Sequence, residues 1–123
     1  MKYFTTTDIG RVRKNNEDSY FNFSNDSFNL FIVCDGMGGH NAGEVASKMA
    51  TEIVSNEIIK SFNPNEIFDT IANSIKVAHI KILEKSQNDL NCRGMGTTLI
   101  LALIYNDTLY YANVGDSRIY LYH

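Results

Sequence analysis

The first part of the chain is organised as short segments with the hydrophobic pattern of β-strands. Residues 2–7 are rich in β-branched and aromatic side chains, and residues 19–24 alternate polar and apolar positions, as a half-buried strand does. Residues 28–34 (FNLFIVC) are more continuously apolar, and the turn-forming sequence Asn-Asp-Ser precedes them. We therefore predict that the second and third segments form a β-hairpin.

The middle of the chain changes to a helical pattern. Apolar residues recur every three or four positions over residues 41–62 and again over residues 64–87. Asn41 stands where it can cap the first helix, and Glu44 follows three residues later, which is the spacing of a capping box. Pro64 suits the first position of the second helix. The pattern predicts two amphipathic helices, 41–62 and 64–87.

Strand patterns return after the second helix. Residues 97–105 (TTLILALIY) form a nearly continuous apolar run, which predicts a central strand buried on both faces. Asn-Asp then suits a tight turn into a strand over residues 108–114, and a further strand begins at residues 118–122. The order of strands, two helices and strands indicates an α+β layered domain rather than alternating βαβ units.

Composition narrows the classes of protein to which the chain can belong. Its 123 residues are 44% hydrophobic and 20% charged, which fits one compact domain. Eleven basic against 14 acidic residues give a net charge of −3, which argues against a nucleic-acid partner. The sequence has no run of 18 apolar residues and no apolar leader at its start, so we expect no membrane partner and a cytoplasmic location. Two cysteines form neither a disulfide framework nor a zinc motif.

Carboxylates stand where the predicted strands begin and end. Asp35 directly follows a buried strand, and Gly36 after it has no side chain, so its carbonyl can approach a ligand closely. Glu17 and Asp18 lie just before another strand, and Asp116 lies between two more. Rigid carboxylates and a bare carbonyl without soft ligands favour Mg²⁺ or Mn²⁺. Two such ions sharing a carboxylate can clamp an anionic oxygen and ionise a bound water near neutral pH.

Arg13, five residues before Asp18, adds a planar fork suited to a pair of phosphate oxygens. Together with the carboxylates it indicates metal-assisted hydrolysis of a phosphoester. Acidic residues are nevertheless common at turns for purely structural reasons. A strand, a Gly-rich loop and a helix also suggest a nucleotide-binding module, although position 41 is Asn rather than Gly and no Gly-Lys-Ser/Thr follows.

Four motifs make a family resemblance specific. They occupy residues 7–19 (TDIGRVRKNNEDS), 33–40 (VCDGMGGH) with 42–47 (AGEVAS), 94–98 (GMGTT) and 113–118 (NVGDSR). In this order and with these intervals they resemble the metal-dependent Ser/Thr protein phosphatases, the PPM or PP2C family, in its bacterial form. The fold that the resemblance implies is an α-β-β-α sandwich of mainly antiparallel strands, with the two helices covering one sheet.

The resemblance also implies a role for each residue of the site. Asp35 would bridge two Mn²⁺ or Mg²⁺ ions, with the Gly36 carbonyl and Glu17 completing one side. Asp18 would hold a metal-bound water, and Arg13 would grip the substrate phosphate. A metal-activated water would then attack phosphorus in line, without a phosphoenzyme. The implied substrates are proteins phosphorylated on Ser or Thr by a Ser/Thr protein kinase.

The chain departs from its relatives at one position of the second motif. Met37 stands where relatives with a DGHGG motif carry the histidine assigned as general acid. The proton for the leaving group would then come from water, from His40 or from elsewhere. We expect His40, Asp116 and Arg118 to support the site, the last two by hydrogen bonds that brace its loop.

The later family motifs, which carry two further metal-binding aspartates, are missing from the sequence. We therefore expect residues 1–123 to be the N-terminal portion of a single PP2C-like domain, incomplete at the C-terminus. It would carry the first half of the site and be weakly active or inactive alone. Two alternatives stay open. The chain could be a truncated, non-catalytic relative that binds phosphopeptides or a partner, or it could be a nucleotide-binding module.

Overall fold

The computed structural model describes residues 18–39, 41–115 and 118–122, with side chains described as far as residue 115. The predicted strand over residues 2–7 lies outside this part of the chain. Two helices and a short 3₁₀ helix at Leu90–Cys92 separate two groups of strands. The strands are β1 (Asp18–Ser24), β2 (Phe28–Met37), β3 (Gly96–Tyr105), β4 (Thr108–Gly115) and β5 (Arg118–Tyr122), and the helices are α1 (Ala42–Ser61) and α2 (Ile67–Asn88).

The five strands form one antiparallel sheet in the order β1-β2-β3-β4-β5. The predicted hairpin between β1 and β2 is confirmed, and its turn is held by the Asn25 side chain. That side chain accepts hydrogen bonds from the backbone N–H groups of Ser27 and Phe28, at 2.7 and 2.8 Å. The β3–β4 turn is also confirmed. Asn106 and Asp107 adopt φ of 54° and 63° there, as a two-residue hairpin turn with the strand twist requires.

Both helices lie on one face of the sheet. Alternate residues of the central strands point toward them, and Leu30, Ile32, Leu101 and Leu103 are each at most 1% exposed. Helix α1 contacts β1, β2 and β3, and α2 packs mainly against α1. The buried stripe of α1 consists largely of small residues, which let the helix approach the sheet closely: Ala42, Ala46, Ala50, Val54 and Ile58. In the described part of the chain, neither helix is long and apolar enough to cross a membrane.

The predicted capping box at the start of α1 is wrong. Within the described residues, the Asn41 side chain makes no capping hydrogen bond. The first turn is closed by the backbone instead, where the Ala42 N–H donates to the Gly39 carbonyl at 3.0 Å. The Val45 N–H then donates to the Asn41 carbonyl at 3.1 Å. The start of the helix therefore depends on the path of the preceding loop rather than on a side-chain cap.

Helix α2 begins three residues later than the proline suggested. The Asn63 side chain accepts from the Asn65 N–H at 3.0 Å, so residues 63–65 form a local turn. Regular helix starts at Ile67. The predicted periodicity is confirmed, because the buried apolar residues of α2 recur every three or four positions: Ile67, Ile71, Ile75, Ala78 and Ile82.

The prediction that residues 97–105 are buried on both faces is wrong for the middle of the strand. Leu99, Leu101 and Leu103 face the helices and are at most 4% exposed. On the other face Ile100 is 44% exposed, and only Ile104 near the end of the strand is buried. The helices cover only one side, and among the described residues no layer packs on the other. The described part is thus a layer of two helices on one antiparallel sheet, which agrees with the predicted α+β class.

Candidate metal centre

Two carboxylates face each other across the first hairpin. The register pairs Asp18 of β1 directly with Asp35 of β2. Side chains alternate along a strand, and the neighbouring Cys34 faces the helices, so both carboxylates lie on the open face of the sheet. Asp35 is exposed and Asp18 is half-buried, with its Oδ1 atom removed from solvent. Directly opposed residues have Cβ atoms about 4.5–5.5 Å apart, which places both carboxylates within reach of one cation.

The electrostatics of this pair favour a bound cation. Like charges placed directly opposite each other destabilise a sheet. Tyr20 lies two residues along β1 on the same face, and its pKa is raised above the ordinary value of 10.0 by burial and then by the charges of Asp18 and Asp35. The negative electrostatic potential of the two carboxylates therefore extends along β1 as far as Tyr20. Oxygen donors of this kind fit Mg²⁺ or Mn²⁺.

The sequence suggested that Asp35 lies at the end of its strand, but the strand continues beyond it. Strand β2 continues through Gly36 and Met37, and β3 pairs Thr98 with Asp35 and Thr97 with Gly36. Asp35 is therefore held between two neighbouring strands. The Thr98 Oγ1 donates to the Asp35 carbonyl at 3.4 Å. Thr98 closes the third motif, GMGTT, but the sequence assigns it no role, because only the cross-strand register brings it beside Asp35.

The remaining predicted site residues stay predictions. Four of them lie outside the described residues: Arg13, Glu17, His40 and Asp116. Arg118 begins β5 opposite Gly115, and its side chain is not described. Within residues 18–39, 41–115 and 118–122, no three histidine, cysteine, aspartate or glutamate side chains lie close enough to hold a metal ion. The described part contributes two carboxylates to the candidate centre.

The sequence profile described as Protein phosphatase 2C matches residues 4–123. The chain belongs to the protein phosphatase 2C family. This confirms the resemblance that the four motifs carry.

Relatives of this phosphatase 2C chain include bacterial Ser/Thr phosphatases. The serine/threonine phosphatase stp of Listeria monocytogenes serotype 4b is 41% identical over 119 residues, covering 94% of this chain and 47% of that protein. Protein phosphatase PhpP of Streptococcus pneumoniae serotype 2 is 38% identical over 123 residues, covering 97% of this chain and 49% of that protein. The chain thus spans about half the length of these relatives.

Solved structures of phosphatases match the same fold. Serine/threonine phosphatase Stp1 from Staphylococcus aureus superposes with a TM-score of 0.74 at 32% identity, covering 91% of this chain and 48% of that one. The catalytic domain of the serine threonine protein phosphatase PstP, solved in complex with two manganese ions, gives a TM-score of 0.69 at 26% identity. That match covers 89% of this chain and 49% of the other. The predicted PP2C-like fold is confirmed for the part of the domain that this chain spans.

The second phosphatase 2C motif contains a glycine at a position where the backbone conformation and a close neighbour leave no room for a side chain. Gly38 adopts φ +152°, and a Cβ built there would lie 2.8 Å from the Cβ of Ala42. Since Ala42 opens α1, any side chain at Gly38 would push against the first turn of the helix. This glycine therefore sets how α1 departs from the strand that carries Asp35.

The cysteine of the same motif is not a candidate ligand. Cys34 is fully buried on the helical side of the sheet, opposite in direction to Asp35. Burial raises the pKa of its thiol to about 11, although hydrogen bonds with Thr51 and Thr97 oppose the shift. The thiol therefore stays protonated at neutral pH, and Cys34 behaves as a small buried hydrophobic residue.

Proposed function

We propose that this chain carries the first half of the site of a metal-dependent protein phosphatase that hydrolyses phosphoserine and phosphothreonine on proteins. The observation that carries the proposal is the direct opposition of Asp18 and Asp35 on the open face of the sheet. Two opposed carboxylates favour a bound cation, and the phosphatase relatives suggest the reaction class. The substrates would be proteins phosphorylated by a Ser/Thr protein kinase.

The oxygen donors of the chain are of the kind that Mn²⁺ and Mg²⁺ bind, and a relative was solved with two manganese ions. Asp35, Glu17 and the Gly36 carbonyl would hold the ions, and Asp18 would hold a metal-bound water. Bound ions of this type neutralise phosphate charge and lower the pKa of water. The backbone of Asp35 suits this role because strands on both sides of β2 hold it in place.

Arg13 would bind the phosphate of the substrate. Its guanidinium has the fork geometry that pairs with two phosphate oxygens. His40, Asp116 and Arg118 would support this end of the sheet, as the motifs imply. Since Met37 takes the position of a histidine, the proton of the leaving group would come from water or from His40.

We further propose that residues 1–123 are the N-terminal portion of one phosphatase domain. Two facts support this. The chain spans about half of its relatives, and the described residues contribute only two carboxylates to the centre. The isolated chain should then bind Mn²⁺ weakly and release little or no phosphate. Tight binding of two ions by the chain alone would contradict this part of the proposal.

The test measures Mn²⁺-dependent phosphate release from a phosphothreonine peptide by two proteins. One is the chain alone, and the other is the chain joined to the second half of the Listeria relative. Asp35→Asn should abolish the activity of the joined protein. Asp26→Asn is the matched control, because Asp26 is an exposed aspartate in the β1–β2 turn at the opposite end of the hairpin. Circular dichroism checks that each protein is folded.

Three outcomes separate the possibilities. Activity only in the joined protein, lost with Asp35→Asn, supports the proposal in full. If the chain alone is as active as the joined protein, the proposal that it carries only half of the site is overturned, whereas the proposed phosphatase function stands. A folded but silent joined protein overturns the catalytic function, and retained phosphopeptide binding would then favour the non-catalytic relative.

A further inference from the structure

An exposed methionine stands on the strand that carries Asp35. Met37 is the last residue of β2 and is 53% exposed. Side chains alternate along a strand, so Met37 and Asp35 lie on the same open face, with Cα atoms about 6.5–7 Å apart. Among the described residues, Met37 is the one large apolar side chain of β2 that is exposed. A group bound at Asp35 therefore has an apolar neighbour on the same strand.

The surroundings of Met37 leave room for a second apolar side chain. The register pairs Met37 with Gly96 of β3, which has no side chain to cover it. The Cγ atom of Met37 lies 3.8 Å from where a Cβ of Gly96 would stand, so the methionine lies over this glycine. Met37 also lines an apolar groove of about 290 Å³, together with Met95 and Leu83. The surface on this side of Asp35 is thus apolar, and one amino-acid side chain fits there.

A methionine suits a surface that accepts side chains of different shapes. Its side chain is unbranched and flexible, and its thioether is polarizable. A single exposed apolar residue needs no functional explanation by itself. Met37 differs from such residues because the strand pairing holds it beside the carboxylate pair at which the phosphate of a substrate would bind.

We propose that Met37 determines part of the substrate specificity, by contacting an apolar side chain directly before or after the phosphorylated residue. The inference rests on the proposed function. Consecutive residues of a peptide lie about 3.8 Å apart, so a residue that flanks a phosphorylated one held at Asp35 comes within reach of Met37. An apolar contact in a binding pocket changes specificity by about 10- to 200-fold. We expect the lower end of this range, because Met37 is partly open to solvent.

The experiment measures kcat/KM of the joined protein for two phosphothreonine peptides, one with Leu and one with Gln on both sides of the phosphothreonine. The two peptides carry the same charge, so the negative potential of the carboxylates affects both equally. The wild type should prefer the Leu peptide about tenfold, and Met37→Gln should reduce this preference to about twofold or less. Met37→Leu should keep it. Ile80→Gln is the matched control and should also keep it, because Ile80 is 48% exposed but lies on α2, outside the groove.

A second measurement detects the contact without turnover. NMR spectra of the chain alone, labelled at its methionine methyl groups, follow the binding of each peptide in Mg²⁺. The Met37 signal is identified by its loss in Met37→Leu. The Leu peptide should shift this signal more than the Gln peptide does, and the signal of Met49 on α1 should move with neither.

The results separate this inference from the proposed function. A preference that Met37→Gln leaves unchanged overturns the inference, even if the rates for both peptides fall. An equal loss of preference in Met37→Gln and Ile80→Gln also overturns it, as does a Met37 signal that both peptides shift equally. In these cases phosphate release by the joined wild type keeps the proposed function. If the joined wild type releases phosphate from neither peptide, the proposed function and the inference fall together.

Discussion

Removing one carboxylate of the opposed pair should change stability in opposite directions with and without metal. In the absence of a cation, Asp18 and Asp35 repel each other across β1 and β2. Asp35→Asn keeps the size of the side chain and removes the repulsion. The variant should therefore be more stable than the wild type in EDTA. In Mn²⁺ the order should reverse, because only the wild type gains binding energy.

The size of the effect follows from the register. Opposed carboxylates lie roughly 5 Å apart, and Coulomb's law gives about 1 kcal/mol for two charges at that distance in water and about 3 kcal/mol near a protein surface. Asp35 is exposed, so the lower figure applies. A gain of about 1 kcal/mol raises the melting temperature of a domain this size by about 3–5 °C. Mn²⁺ at ten times its Kd should stabilise the wild type by about 1.4 kcal/mol.

Thermal unfolding followed by circular dichroism measures both effects, in EDTA and in a Mn²⁺ series. Asp26→Asn serves as control, because it removes an equal charge from the distant turn and should shift neither series. Tyr20 offers a second readout. Its pKa, raised in part by both aspartates, should move down toward its ordinary value in Asp35→Asn. The reasoning would be refuted if Asp35→Asn lowered stability in EDTA, or if Mn²⁺ stabilised wild type and variant equally.

Four further predictions concern the scaffold of the domain. The pKa of Cys34 is raised to about 11, so between about pH 9 and 11 the thiol is protonated in the folded state and ionised in the unfolded state. The free energy of unfolding should therefore fall as the pH rises from about 9 to 11. Cys34→Ala should show a smaller fall. At pH 8, Cys34 should react with a thiol reagent only after unfolding in urea. Gly38→Ala should cost about 1–3 kcal/mol in urea unfolding, because φ is +152° and the new methyl meets the first turn of α1. Gly39→Ala is its control, since among the described residues no heavy atom lies within 4 Å of a Cβ there, and equal losses would contradict the argument. Asn106→Val should cost about 1 kcal/mol or more because φ is 54°, whereas Asn106→Gly should be tolerated, and a stable valine variant would mean that the turn rearranges.

Much of the local structure was predictable from the chain alone. The β1–β2 hairpin, the two helices, the apolar face of α2 and the two-residue turn at Asn106 all follow from short-range patterns, and the structure confirms them. The family could also be recognised from local motifs, because metal and phosphate chemistry restricts which residues can occupy consecutive positions. The helix starts were less predictable, since backbone and Asn63 side-chain hydrogen bonds replaced the expected cap and the expected proline start.

Tertiary structure alone decided which side chains meet. The pairing of Asp18 with Asp35 follows from the β1–β2 hairpin, but Thr98, 63 positions beyond Asp35, joins their row only through the pairing of β2 with β3. Tertiary packing also left Ile100 exposed while its neighbours in the same apolar run are buried. The physical reason is common to both. A residue's periodicity records that a face is apolar or polar, but the register and the covering layer come from contacts between distant segments, and these have no signature in the local sequence.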